Sequence, residues 1–127
     1  MKKRKTTEDY LKTIYTCSDV QPVKACRIAE KLRVSKPTVS VALKQLQEEG
    51  YLDVQRGKVV RLTEQGLSIA RATYERHRVL RELLVSLGVD PEIADRDACE
   101  MEHSVGPESF EALRALHKSR KAEASGG

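Results

Sequence analysis

Apolar residues return every three or four positions through most of this chain, the period of an amphipathic helix. Leu11, Ile14 and Tyr15 mark one face over roughly residues 8–17, and Thr6 or Thr7 stands where a cap belongs. Asp19 to Pro22 read as a turn. Ala25, Ile28, Ala29 and Leu32 follow the spacing i, i+3, i+4, i+7, a short helix that Arg33 and Val34 break. Ser35 is a good cap for the next helix. Pro37 is tolerated in its first turn because the N–H groups there have no intrahelical acceptor. Val39, Ala42, Leu43 and Leu46 repeat the spacing, and Gly50 supplies the stop. Two short helices joined by a tight turn predict a helix-turn-helix.

The period then changes. Residues 51–54 and 58–62 predict two strands around Gln55, Arg56 and Gly57, a hairpin directly after the second helix. That order of elements predicts a winged helix. Thr63 can cap a long helix over about 64–87, with Leu67, Ala70, Tyr74, Leu80, Leu84 and Leu87 on its inner face. At ~1.5 Å per residue it would span about 36 Å, enough to link two modules. A loop over 88–91 precedes a short helix whose apolar stripe is Ala94, Ala98, Met101 and Val105. After a turn over 104–107, a last helix over about 108–119 carries Phe110, Leu113 and Leu116, and residues 118–127 read as frayed. Two short helices, in a chain with one Phe and no Trp, close a core poorly alone and are expected to form a dimer interface. The expected fold class is mainly α with a small β-hairpin wing. It comprises a winged helix-turn-helix domain over 1–63 and a helical domain over 64–127.

Charge divides along the same line. Residues 1–62 hold 14 Lys and Arg against 7 Asp and Glu, whereas residues 63–127 hold 9 against 12. A basic front and an acidic back suggest a polyanion partner at one end and a cation at the other. The basic start, residues 1–5, reads either as a free arm or as a phosphate contact. No apolar run approaches a membrane span and no signal-peptide pattern follows that start, so a cytoplasmic protein with no membrane partner is expected. Three cysteines without paired spacing argue against a disulfide framework.

The second helix of the pair has a distinctive outward face. Lys36, Pro37, Thr38, Ser40, Val41 and Lys44 are small, hydroxylic or basic, with no carboxylate before Glu48. A merely solvated helix mixes its charges. A helix entering the major groove needs small residues near its start and cations for phosphates. Ser35, Pro37, Thr38 and Ser40 are the candidates for base contacts. Lys36 and Lys44, with Arg56 and Lys58 on the wing, are the candidates for phosphate.

Residues 97–103 place a thiol, a carboxylate and an imidazole within five positions. On a helix Cys99, Glu102 and His103 fall at i, i+3 and i+4, sharing one face beside the apolar stripe, with Glu102 at the edge of burial. Such a set suits a borderline divalent transition metal and is one or two donors short of a full shell. Taken alone, Asp9 is a first-turn carboxylate favoured by the helix dipole. Taken alone, His77 is a core histidine bonded to a backbone carbonyl.

Four stretches occur here in one order: residues 7–15, the helix pair from Ile28 and Ala29 to Ser40, residues 62–66, and Asp97 to Cys99 with Glu102 and His103. This resembles the diphtheria-toxin-repressor and manganese-transport-regulator family of metal-dependent repressors, over roughly residues 6–117. The resemblance implies a homodimer with an N-terminal winged helix and a helical dimerisation and metal-sensing domain. It also implies the two-domain form of manganese-type members, without the SH3-like domain of many iron-type members. It carries metal ligands onto Asp9, His77, Cys99, Glu102 and His103. Cys99 is the iron-type residue, where manganese-type members have a carboxylate. Asp9 is the manganese-type residue, where iron-type members have methionine. Manganese-type members use glutamate at the positions of Lys12 and Arg81, and neither residue here can replace a carboxylate at a second, adjacent metal. Glu100 is the nearest compensating carboxylate in sequence.

The expected function is a metal-dependent DNA-binding transcriptional regulator, a repressor of metal-uptake genes. Its cofactor would be Mn2+ or Fe2+, with Co2+, Ni2+, Zn2+ or Cd2+ as substitutes in vitro, and its partner a palindromic double-stranded operator. A winged-helix regulator sensing redox state or an organic ligand through Cys99 is the alternative. An enzyme using Cys99 and His103 is disfavoured, because nothing Gly-rich or oxyanion-stabilising accompanies them.

Overall fold

The computed structural model describes the backbone of residues 2–17 and 23–126 and the side chains of 5–17 and 23–123. The turn expected over 19–22 lies outside the described residues. The structure divides into two compact units, one ending at Ala72 and one beginning at Thr73.

The first unit opens with α1 (Lys2–Cys17), which starts well before Glu8. Its early turn holds Lys and Arg, which are good helix formers, with no Gly or Pro to stop it, although it lacks the apolar marks that the reading relied on. A short strand β1 (Val23–Lys24) follows, then α2 (Ala25–Leu32). Arg33 closes α2 in the left-handed region at φ 56°, and the Val34 N–H reaches back to the Ala29 carbonyl at 3.1 Å. That left-handed closure lets the chain turn sharply into α3 (Lys36–Glu48). Ser35 caps α3: its hydroxyl accepts from the Thr38 N–H at 3.2 Å, and Pro37 sits in the first turn. β2 (Leu52–Gln55) and β3 (Val59–Leu62) form the hairpin, joined by a 3-10 turn over Arg56–Lys58 in which Gly57 has φ 75°. β1 adds a third antiparallel strand, in the order β1-β3-β2, with Val23 opposite Val60 and Leu52 opposite Leu62.

Leu11 and Ile14 from α1, Ile28 from α2, and Val39, Leu43 and Leu46 from α3 bury their side chains against Val23, Leu52 and Val60. Each fully buried aliphatic contributes roughly 1.5–3 kcal/mol. α4 (Glu64–Ser86) begins against this core. Thr63 caps it by accepting from the Gly66 N–H at 3.2 Å, and its hydroxyl donates to the Gly50 carbonyl at 2.7 Å. Gly66 is required here: a Cβ at that position would lie 1.9 Å from the carbonyl oxygen of Tyr51.

The second unit holds the rest of α4, then α5 (Pro91–Met101) and α6 (Pro107–Gly126). Asp90 caps α5 by accepting from the Glu92 N–H at 3.1 Å, ahead of Pro91. Ala94 and Ala98 are fully buried, while Val79, Leu83 and Phe110 form a small apolar cluster with Val105 and Leu113 beside it. Two expectations fail here. The stretch read as frayed, from Lys118 to Gly126, continues α6, because it is rich in Lys, Arg, Ala and Glu and holds no proline. The inner face assigned to the long helix does not hold throughout: Tyr74 is 38% exposed, and Leu87 is 64% exposed because α4 ends at Ser86 and Leu87 leaves the stripe. Among the described residues, no helix is long and apolar enough to cross a membrane.

Candidate metal centre and nucleic-acid face

Polar chemistry in the second unit gathers around His77 of α4. Its Nδ1 lies 2.9 Å from Glu102 Oε1 and 3.7 Å from Cys99 Sγ, and its Nε2 lies 2.9 Å from Asp95 Oδ1. The side chain is 14% exposed. Both ring nitrogens therefore face acidic or thiol partners, not the backbone carbonyl expected of a core histidine.

α5 brings the other donors. Asp95, Cys99 and Glu102 stand at i, i+4 and i+7, so the same side of the helix carries all three past His77. α5 ends at Met101, and Glu102 is its C-cap, with its N–H still bonded to the Ala98 carbonyl at 2.9 Å. His103 lies just beyond the helix, and its Nε2 is 3.5 Å from Glu102 Oε2. Glu102 is fully buried, not at the edge of burial as its place beside the stripe suggested, and its carboxylate faces two imidazoles.

Asp95 is the residue that the sequence reading missed. His77, Asp95 and Cys99 each offer a donor atom, and these three atoms lie within 4.8 Å of one another. The signal was present in the spacing, since Asp95 precedes Cys99 by one helical turn. Asp95 also lies 3.5 Å from Arg81 Nε, so Arg81 faces this cluster as an ion-pair partner of its carboxylate. Glu100 is exposed.

The donor set fits a transition ion. Imidazole nitrogen, thiolate sulfur and carboxylate oxygen together suit iron, cobalt or zinc, and the carboxylates also suit manganese. Donors bonded at ~2.0–2.3 Å to one ion lie about 3–4 Å apart, close to the separations here. Asp9, the remaining expected ligand, lies on α1 in the first unit and is partly buried.

On the first unit, Ser35, Lys36, Pro37, Thr38, Ser40 and Lys44 are all exposed along α3, as are Arg56 and Lys58 at the hairpin tip. The Ser35 and Thr38 hydroxyls lie 2.7 Å apart, so each has a defined orientation at the start of the helix. Lys44 and Lys58 line a cavity of about 260 Å³ with Ser40, Leu43, Gln47 and Val54. Gln47 Oε1 accepts from the Val54 N–H at 2.7 Å and ties α3 to the hairpin. All three cysteines carry free thiols, with Cys17 buried and Cys26 exposed.

Two family profiles match this chain in succession. Residues 4–60 match the family profile described as the iron-dependent repressor N-terminal DNA-binding domain. Residues 63–126 match the iron-dependent repressor metal-binding and dimerisation domain. The chain belongs to the iron-dependent repressor family. The transcriptional regulator MntR of Escherichia coli is 35% identical over 122 residues, covering 95% of this chain and 79% of that one. The iron-dependent repressor IdeR of Mycobacterium tuberculosis is 41% identical over 101 residues, covering 77% of this chain and 44% of its own. A solved manganese-dependent transcriptional repressor in complex with manganese superposes with a TM-score of 0.78 at 32% identity, over 87% of this chain and 52% of that one. This member of the iron-dependent repressor family thus spans about half the length of that solved repressor.

Proposed function

We propose that this chain is a metal-dependent DNA-binding transcriptional regulator, a repressor of metal-uptake genes responding to Mn2+ or Fe2+, and not an enzyme. The observation that carries the reading is the convergence of His77, Cys99 and Glu102 around one imidazole in the unit that matches the family's metal-binding domain. The proposed ligand set is Asp9, His77, Cys99, Glu102 and His103, and the family resemblance supports including Asp9. Asp95 lies 2.9 Å from the other ring nitrogen of His77, Nε2, where it orients the imidazole for donation through Nδ1. Bound metal supplies positive charge among carboxylates that otherwise repel one another. Where the ion favours the DNA-competent arrangement by a few kcal/mol, DNA affinity responds to it and occupancy switches.

Two copies of the DNA-binding unit in a homodimer would meet a palindromic operator in successive major grooves. Ser35, Pro37, Thr38 and Ser40 would read bases, with Pro37 suited to a thymine methyl. Lys36, Lys44, Arg56 and Lys58 would meet phosphate. A cytoplasmic location follows from that partner.

The test is an anisotropy titration on a palindromic operator with Mn2+, Fe2+, Co2+ and Zn2+ in turn, with a chelator control. Binding that appears only with metal supports the reading. Binding indifferent to chelator but lost on Cys99 oxidation would favour a redox-sensing regulator instead.

A further inference from the structure

Arg76 precedes His77 on α4 and reaches the turn that follows α5. Its Nη1 donates to the Val105 carbonyl and, at 3.5 Å, to the Glu102 carbonyl. Its guanidinium carbon lies 4.8 Å from the centre of the Phe110 ring, on α6. Carbonyls at a helix end have no following N–H to accept from, so an external donor there is worth more than one elsewhere. A cation donating to them is stronger still, because its bonds are charge-assisted and it complements the negative end of the helix dipole.

The segment 102–105 is therefore held from two sides. From α5, the Ser104 and Val105 N–H groups bond the Met101 carbonyl at 3.0 and 3.2 Å. From α4, Arg76 grips the carbonyls at both ends of the segment, and the Phe110 ring fixes the plane of the guanidinium. This short turn carries Glu102 and His103.

We infer that Arg76 is a positioning residue for metal binding: it fixes the 102–105 turn so that Glu102 and His103 present their donors beside His77. The inference rests on the metal-binding reading above. Without the guanidinium, the turn samples other arrangements and must be ordered when the ion binds, which lowers affinity. Lysine cannot replace it in full, because a single ammonium lacks the planar fork and the stack.

The experiment is a Co2+ titration of the full chain, following the thiolate-to-cobalt absorption of Cys99 and the ligand-field bands, with thermal unfolding of the metal-free protein alongside. Arg76→Ala should weaken Co2+ binding about 10–100-fold, the usual loss when a group supporting a ligand is removed. Arg76→Lys and Phe110→Leu should each lose part of that affinity, with altered ligand-field bands. His117→Ala, which breaks the 2.7 Å pair with Glu82 in the same unit and lies outside the cluster that Phe110 and Val105 share, should lower the unfolding midpoint yet leave affinity within about twofold. If Arg76→Ala does not fold, Arg76→Lys and Phe110→Leu carry the test. Unchanged affinity in the folded variants overturns the inference, as does a loss in His117→Ala equal to theirs. Wild-type protein that binds no Co2+ overturns the metal-binding reading itself, and the role of Arg76 with it.

Discussion

The two units keep their polar groups in opposite places. The first buries an almost wholly apolar core, from Leu11 and Ile14 through Ile28, Val39 and Leu52, and leaves its lysines and hydroxyls along α3 in water. The second has a small apolar cluster around Val79, Leu83 and Phe110, and it buries Glu102 and His117. Area removed from water stabilises the first unit whatever it binds. A buried carboxylate costs free energy unless something compensates its charge, so the second unit depends more on its partners. The contrast suits a rigid reading head and a sensor whose stability depends on its ligand.

The largest effect should come from the apolar side of the contrast. Ile28→Ala should cost about 2–5 kcal/mol with or without metal, read from denaturant unfolding. A loss that metal could restore would break the distinction. Next is Glu102→Ala. At an ion concentration near 100 times Kd, wild-type protein should gain ~2.7 kcal/mol over its metal-free form, and the variant should gain none while remaining helical by circular dichroism. A gain that persists would remove Glu102 from the ligand set. Lys44→Ala should leave unfolding unchanged, weaken binding on every DNA sequence, and reduce the slope of log affinity against log salt by ~0.9 for each protomer bound. An unaltered slope would mean that Lys44 meets no phosphate.

The smallest effect concerns a second pair in the sensor unit. His117 Nε2 lies 2.7 Å from Glu82 Oε1. Burial pushes the Glu82 carboxyl up, but the His117 hydrogen bond and the charges of Arg78, His117 and Lys121 together hold it below the usual carboxylate range. A lowered carboxyl pKa stabilises the fold at neutral pH. That contribution is lost as pH falls from the ordinary glutamate value through the lowered one. Glu82→Gln should flatten the acid limb of a melting-temperature profile slightly, since water screens this partly exposed carboxylate. A profile unchanged in acid would show that the pair contributes nothing.

Legibility followed the strength of the local signal. α2 was readable to the residue, because four apolar positions at helical spacing end at a sharp break. The Ser35 cap was readable because a hydroxyl one residue before a helix has a specific task. β1 was not, because Val23 and Lys24 are too short a stretch to alternate. The outer ends of α1 and α6 carry charge without periodicity, so propensity alone extends them. In the candidate metal centre, Cys99, Glu102 and His103 stood out by their closeness in sequence. Asp95 did not, because one helical turn hides a neighbour in space behind three unrelated letters. His77 could not be assigned from its own surroundings, since its carboxylate partners come from another helix.

One small residue has a consequence for anyone who would alter this protein. At position 66 the first turn of a helix rests directly on the peptide group of Tyr51, with no room for even a methyl. At this position any substitution would lever the helix away from the strand that follows α3, so glycine there is a fixed point for mutagenesis.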